Sequence, residues 1–202
     1  MKVGFIGPGN GDDGLLREAV EFLIGDVEVG QAIYLGLDDA LERVVREWAG
    51  EILPGELGEE AFLDRAAALA CDGSADAIGD LLESDRSLRR LACIRRLPPP
   101  PARAIEMIGD RIVTMVHDKA ILGEEDIANS TLLVYGKSKE TLLKRFGPRY
   151  FLTPGPLSNR KVAVVEGDDE GQLIVGMFEP SGAPIWSEAL QSRVTGKISV
   201  SS

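Results

Sequence analysis

The stretch from Thr131 to Ser158 constrains the fold more than any other part of the chain. Leu132 to Tyr135 is a short apolar run, typical of a buried strand. It ends at Gly136, where a residue without a Cβ lets the backbone turn sharply. After a connecting segment, Tyr150 to Leu152 is a second predicted strand. A proline–glycine loop ends that strand, because proline cannot donate to a β-ladder. The pattern predicts two strands, the first with the polar residues Lys137 to Lys139 at its end.

The first 35 residues have the pattern of a β-α-β unit. Lys2 to Ile6 is a short apolar strand that runs into a glycine-rich loop, Gly7 to Gly11. Asp12 or Asp13 can cap the helix that follows, whose apolar residues recur at helical spacing. Gln31 to Leu35 is a second predicted strand. Two strands joined through a helix form a parallel pair with a right-handed crossover.

The middle of the chain is predicted to be helical and the second half to consist mostly of strands. Apolar spacing indicates three helices between residues 38 and 83. The next predicted elements are a strand at Leu91–Ile94, a stiff connector at Pro98–Pro101, a hairpin of Ala104–Ile108 with Ile112–Val116, a short helix at Gly123–Ala128 and a hairpin of Lys161–Glu166 with Gln172–Phe178. Beyond Pro180 only Val194–Val200 has strand character, so residues 180–202 are predicted to be a tail that adds an edge strand or is loose.

The turn Gly136-Lys137-Ser138-Lys139 and the loop Thr153-Pro154-Gly155-Pro156 resemble two motifs of the calcineurin-like metallophosphoesterases, in particular of their small phosphodiesterase branch. In that family one strand ends in Gly-His-Thr-His and a later strand ends in Asn-Pro-Gly-Ser. The resemblance covers about residues 1 to 178 and implies an α/β (α+β) fold, a two-sheet αββα sandwich. Residues 38–83 are then a helical insertion or cap.

The same resemblance implies that the metal ligands are missing. The family holds two cations with Asp, His and Asn side chains. Its first motif, Asp-x-His, falls on Pro8-Gly9-Asn10, and the aspartate of its second motif falls on Leu37. The third motif should follow the strand that ends near Ile94, where the chain has Arg95-Arg96-Leu97. The histidine of the fourth motif is retained as His117. We therefore predict no metal ligands, no catalytic residues and no cofactor.

Positive side chains replace the lost ligands. Lys137 and Lys139 stand where the family has its metal-binding histidines. Arg95, Arg96 and Lys119 are predicted neighbours from adjacent strand ends. Fixed ammonium and guanidinium groups bind phosphate or carboxylate without hydrolysing a phosphoester. The predicted anion-binding site consists of Asn10, Arg95, Arg96, His117, Lys137 and Lys139.

A second interpretation of these charges stays open. In it the lysines are solvated, or they pair with nearby carboxylates that the lost metals left uncompensated. Those carboxylates are Asp12, Asp13, Asp38 and Asp39. His117 also has two interpretations. It is either a strand-end histidine hydrogen-bonded to neighbouring loops, or a general base or anion ligand.

Three functional hypotheses follow. The first is a non-catalytic binding or scaffold protein, because ligands are lost together at several motifs, on Pro8, Asn10, Leu37, Lys137 and Lys139, rather than at one. A retromer subunit that resembles these enzymes and acts as a scaffold is an analogy for it. The second is a divergent phosphoesterase with relocated metal ligands. The third is a nucleotide-binding protein that uses Gly7 to Gly14, where G-x-G-x-x-G lies between a strand and a helix, although Asp12 and Asp13 would repel a pyrophosphate.

The composition of the chain limits the classes of partner that it can bind and the compartment that suits it. The net charge of −11 excludes a general binder of nucleic acid or of acidic membranes, because phosphate groups attract a positive excess. The two cysteines, Cys71 and Cys93, indicate a reducing compartment, and no apolar stretch approaches the ~20 residues of a membrane helix. We expect one domain of residues 1–202 in the cytoplasm. The expected partner is another protein or a second copy, with a small phosphate-containing ligand as a further possibility.

Overall fold

The structure is a computed structural model that describes residues 1–55, 58–168 and 170–191. Two mixed β-sheets pack face to face, and helices pack on the other face of the first sheet. The first sheet contains, in spatial order, β11 (Pro184–Ala189), β10 (Leu173–Phe178), β9 (Val162–Gly167), β1 (Lys2–Ile6), β2 (Gln31–Tyr34) and β3 (Ile94–Arg96). The second contains β4 (Ala104–Ile108), β5 (Arg111–Val116), β6 (Leu132–Tyr135), β8 (Arg149–Thr153) and β7 (Leu142–Phe146). The predicted fold class, a two-sheet α/β (α+β) sandwich, is confirmed.

Both sheets contain a parallel group of three strands. In the first sheet β1, β2 and β3 run parallel, and β9, β10 and β11 continue the sheet in antiparallel pairs. In the second sheet β5, β6 and β8 run parallel, with β4 and β7 as antiparallel edges. The β-α-β start predicted from the sequence is thus the parallel pair β1–β2.

The main core lies between the two sheets. Val3 and Phe5 of β1 face the second sheet and share a core with Leu152, and all three are fully buried. Ile6 belongs instead to the core between the first sheet and the helices, together with Leu16. Because both faces of β1 are covered, the strand is a nearly continuous apolar run rather than an alternating one.

The described residues form five α-helices. They are α1 (Asp13–Glu21), α2 (Ala40–Ile52), α3 (Glu59–Asp72), α4 (Ala75–Leu91) and α5 (Glu124–Asn129). Asp12 caps α1 as predicted, since its Oδ1 accepts from the backbone N of Leu15 at 2.9 Å. A π-helical turn, Phe22–Asp26, continues α1. None of the helices within the described ranges is both long and apolar enough to cross a membrane.

The helical segment predicted between residues 38 and 83 is longer than expected. It comprises α2, α3 and α4 and continues to Leu91. The predicted strand at Leu91–Ile94 is therefore wrong, because Leu91 ends α4 and β3 starts only at Ile94. The inward-packing leucines of α4, Leu81, Leu88 and Leu91, are spaced by seven and three residues, as on one face of a helix.

Two edge strands lie in segments not predicted as strands. β7 occupies the connecting segment before Tyr150 and pairs with β8 across a turn at Gly147, whose φ is +58°. β11 lies in the tail and starts at Pro184. Proline has no N–H to donate, and an edge strand tolerates it because one side of that strand has no neighbouring strand to bond. Their side chains are mostly exposed, so neither has the apolar pattern of a buried strand. The predicted strand at Val194–Val200 lies outside the described residues.

Candidate functional site

An open cleft lies where the carboxyl ends of four strands meet. The loops that follow β1, β5, β6 and β8 surround a volume of about 530 Å³. The lining residues are Pro8, Asn10, His117, Lys119, Tyr135, Gly136, Lys137, Ser138, Lys139 and Pro156. Ligands of α/β proteins commonly bind at the carboxyl ends of parallel strands. This cleft is therefore the candidate functional site.

A close backbone contact joins the loop after β1 to the loop after β8. A Cβ built on Gly7 would lie 1.7 Å from the carbonyl oxygen of Gly155, so the first loop has room only for glycine there. The backbone N of Leu157 donates to the carbonyl oxygen of Pro8 at 2.9 Å and holds the same two loops together. The proline–glycine loop thus fixes the position of Pro8 and Pro156 at the cleft.

His117 connects the two sheets beside the cleft. Its Nδ1 lies 2.8 Å from the carbonyl oxygen of Leu35, just after β2. Because a carbonyl only accepts, Nδ1 carries the proton and donates it. In the neutral ring Nε2 is then an acceptor, and it forms no hydrogen bond with a described residue. The backbone oxygen of His117 accepts from the N of Lys137 at 2.7 Å. These contacts agree with the structural interpretation of His117.

The three lysines that line the cleft have different surroundings. Lys137 Nζ donates to Asp118 Oδ2 at 2.5 Å, and this hydrogen bond holds the pKa of the Asp118 carboxyl below its usual range. Lys119 Nζ lies 5.1 Å from the centroid of the Tyr135 ring, a cation–π contact. Lys139 is exposed and forms no ion pair within the part of the chain that the structure describes. Two of the three ammonium groups therefore have no carboxylate partner among the described residues.

The structure brings four of the six predicted site residues together at the cleft. These are Asn10, His117, Lys137 and Lys139. Arg95 and Arg96 do not line it, so the prediction that they neighbour the lysines is wrong. β3 carries both arginines at the outer edge of the first sheet, with β2 between β3 and β1. Arg96 Nε instead lies 3.1 Å from Glu42 Oε1, and its Nη1 donates to the backbone oxygen of Asp38.

Arg43 binds two of the carboxylates that were expected to meet the lysines. Its Nε donates to Asp13 Oδ2 at 2.9 Å, and its Nη1 donates to Asp39. Arg43 therefore joins the start of α1 to the start of α2. The sequence reasoning did not identify Arg43, although the spacing of Asp39 and Arg43, four residues apart on a helix, indicates such a pair.

Tyr34 joins the loops after β1 and β2. Its ring is fully buried, and its hydroxyl accepts from the backbone N of Gly9 at 2.8 Å and donates to Asp38 Oδ1 at 2.8 Å. Burial raises the pKa of the phenol, so the hydroxyl stays protonated. A neutral hydrogen-bond bridge therefore connects the two loops on which the resemblance places the first two metal-binding motifs.

The predicted pairing of the lysines with four named carboxylates is wrong. Asp12 caps α1, Asp13 and Asp39 bind Arg43, and Asp38 accepts from Tyr34. The lysine that has an acidic partner binds Asp118, a residue of its neighbouring strand end, because the ends of the parallel strands β5 and β6 are adjacent.

The residues present do not fit a binuclear metal centre. The first two motifs are occupied by Pro8, Asn10 and Leu37, which include no carboxylate. No group of three or more His, Cys, Asp or Glu side chains within the described ranges is placed to hold a metal ion. The nearby carboxylates that a relocated site would need already bind protein groups.

Two stacked mixed sheets with a cleft at the strand ends are what the resemblance to the calcineurin-like metallophosphoesterase fold implies. This chain has that fold. It is similar to a conserved uncharacterized protein from Streptococcus pneumoniae described as a predicted phosphoesterase. The TM-score is 0.54 and the identity 14%, over 93% of this chain and 95% of that one.

Vacuolar Protein Sorting 29 from Cryptosporidium parvum is also similar, with a TM-score of 0.51 and 14% identity over 95% of this chain and 98% of that one. At this identity the likeness shows the fold alone. No known protein-family profile matches the chain, and no curated protein sequence matches it.

Proposed function

We propose that this chain is a non-catalytic binding protein whose cleft holds a small phosphate-containing ligand. The charge of the cleft is the observation that supports the proposal most. Three of the ten lining residues are lysines and none is acidic, in a chain whose net charge is −11. Ammonium groups gathered in this way form charge-assisted hydrogen bonds with phosphate oxygens. Asn10 is a further polar residue at the same cleft, and a side-chain amide can donate to a phosphate oxygen.

The size of the cleft agrees with a small ligand. Its volume of about 530 Å³ lies within the range of roughly 300–1,000 Å³ that is usual for small-molecule sites. Pro8, Pro156 and the Tyr135 ring contribute apolar surface next to the lysines. A phosphate joined to a small organic group therefore matches both the charge and the lining.

Phosphoester hydrolysis is less well supported as a function. In this fold it depends on metal ions that activate water and stabilise the leaving oxygen. The described residues offer no such ligand set, and Nδ1 of His117 is occupied by Leu35 rather than by an orienting carboxylate. These observations favour binding without turnover over a divergent phosphoesterase with relocated ligands.

The glycine-rich loop Gly7 to Gly14 is a weaker candidate for nucleotide binding. A pyrophosphate at this place would accept from backbone N–H groups at the start of α1. Asp12 already accepts from the N of Leu15 there, and Asp13 lies in the first turn. Both carboxylates repel a pyrophosphate. A protein partner or self-association stays a prediction.

Inorganic phosphate is expected to raise the melting temperature of the chelator-treated protein. At one hundred times the Kd, mass action stabilises the folded state by about 2.7 kcal/mol, or about 5–10 °C for a chain of this size. Replacing Lys137 and Lys139 together by alanine removes two of the three ammonium groups and should abolish the shift. Differential scanning calorimetry with increasing phosphate measures it.

The matched control is Lys144→Ala combined with Lys161→Ala. It removes the same charge from positions that do not line the cleft, so the shift should persist. If the two double variants respond equally to phosphate, binding does not occur through the cleft lysines and the proposal fails.

A further inference from the structure

The ion pair between Asp118 and Lys137 lies directly beside the proposed anion site. Asp118 follows His117 at the end of β5, and Lys137 follows Gly136 at the end of β6. These two strands are adjacent and parallel, with Val116 opposite Tyr135. The backbone N of Lys137 also donates to the carbonyl oxygen of His117 at 2.7 Å. Two hydrogen-bonded strand ends therefore hold the carboxylate next to the ammonium group.

The two oxygens of Asp118 have separate partners. Oδ2 accepts from Lys137 Nζ at 2.5 Å, and Oδ1 accepts from the backbone N of Ala120 at 3.0 Å. The second bond caps the 3₁₀ turn Lys119–Ile121 and does not involve Lys137. The Asp118 carboxylate therefore keeps one bond to its own loop if the Lys137 side chain turns away.

Lys137 is the more exposed member of the pair. Its side chain is 66% exposed, whereas that of Asp118 is 26% exposed. Exposed ion pairs of this kind are weak because water screens them and because a long side chain loses rotamer freedom in the pair. An anion in the cleft with more than one charged oxygen can engage Lys137 together with Lys139 or Lys119.

We propose that Asp118 is a tethered competitor of the ligand: its carboxylate occupies Lys137 while the cleft is empty, and a dianionic phosphate displaces it. This inference rests on the proposed anion-binding function. A single carboxylate that replaced Asp118 on Lys137 would exchange one ion pair for an equal one. A phosphate dianion can also contact Lys119 or Lys139, for which the described parts of the chain supply no carboxylate partner. Asp118 thus makes the cleft selective for phosphomonoesters over simple carboxylates.

Asp118→Asn tests the competition. The asparagine keeps the oxygen that accepts from Ala120 N, but it loses the charge that holds Lys137. The affinity for inorganic phosphate, measured by isothermal titration calorimetry on chelator-treated protein at low salt, is expected to rise roughly fivefold. We expect the natural protein to bind acetate only very weakly, and the affinity of Asp118→Asn for acetate should be higher by at least the same factor.

Glu140→Gln is the matched control. It makes the same change in net charge on the loop next to Lys139, and the hydrogen bonds of Glu140 described in that loop use its backbone rather than its side chain. We expect less than a twofold change in phosphate affinity. A second control repeats Asp118→Asn in a Lys137→Met background, where the gain should disappear because the two residues act as a pair.

The outcomes separate this inference from the proposed function. If the natural protein binds phosphate and Asp118→Asn leaves the Kd unchanged or weakens it, the competition is wrong while anion binding stands. Equal tightening by Asp118→Asn and Glu140→Gln also overturns it, because net charge alone then explains the gain. If neither the natural protein nor any variant binds phosphate, the proposed function and this inference both fail.

Discussion

Gly7→Ala is expected to lower the free energy of unfolding by about 3 kcal/mol or more. The new Cβ would lie 1.7 Å from the carbonyl oxygen of Gly155, and that neighbour is backbone rather than a side chain that can rotate away. The loop after β1 or the loop after β8 has to move. Either movement strains the hydrogen bond between Leu157 and Pro8 and changes the shape of the cleft. Chemical denaturation of both proteins measures the difference.

Gly14→Ala is the control for this prediction. Gly14 lies in the first turn of α1, and a Cβ there would meet only Asp12 Oδ1, at 3.7 Å. Alanine is the better helix former, so stability should stay equal or increase by up to about 1 kcal/mol. If Gly7→Ala is as stable as Gly14→Ala, the loops after β1 and β8 are not in the contact described.

Tyr34→Phe is expected to reduce the free energy of unfolding by roughly 1–3 kcal/mol. The change keeps the buried ring but leaves the N–H of Gly9 without its acceptor, and it removes one of the two donors to Asp38 Oδ1, the other being the backbone N of Ala40. Tyr135→Phe is the matched control, because that ring is also buried but its hydroxyl forms no hydrogen bond with a described residue. If Tyr34→Phe lowers the free energy of unfolding no more than Tyr135→Phe does, the hydrogen-bond bridge between the two loops does not contribute to stability.

The same hydroxyl gives the stability a dependence on alkaline pH. Burial raises the pKa of Tyr34 in the folded state above its ordinary value of about 10. The stabilisation from the neutral phenol is therefore complete below about pH 10 and is lost as the pH rises towards the raised value. Tyr34→Phe should flatten this alkaline decline, which urea unfolding between pH 8 and pH 11 measures.

Local patterns predicted the strands that surround the cleft. The apolar run before Gly136 and the prolines after Thr153 mark strand ends by chain geometry alone, and both strands were found where expected. The polar turn at Lys137 to Lys139 could also be predicted to lie at a sheet end. The close contact between Gly7 and the carbonyl oxygen of Gly155 joins residues far apart in the chain, so no local pattern predicts it.

The contacts that join the loops around the cleft could not be predicted in the same way. They join residues that are far apart in sequence, such as Arg43 with Asp13 and Tyr34 with Gly9. The misplacement of Arg96 has a related cause, since the sequence contains no direct signal for the position of β3 within the sheet. The edge strands β7 and β11 were missed because most of their side chains are exposed, so no buried face gives them the apolar alternation that predicts a strand.

Side-chain bonds join the loops around the cleft. Arg43 and Tyr34 connect the loops after β1 and β2, and His117 connects the two sheets through Leu35. The lysines lie at the cleft that lies beside these connections.

Metal content is the most direct test of a fixed-charge cleft. The protein, purified without a histidine tag, is incubated with manganese, desalted and analysed by elemental mass spectrometry, and the same sample is assayed for phosphodiester hydrolysis. We predict less than one tenth of a metal ion per chain, as an order-of-magnitude limit set by the lack of ligands, and no turnover. About two metal ions per chain together with turnover would contradict this and indicate a hydrolase with relocated ligands.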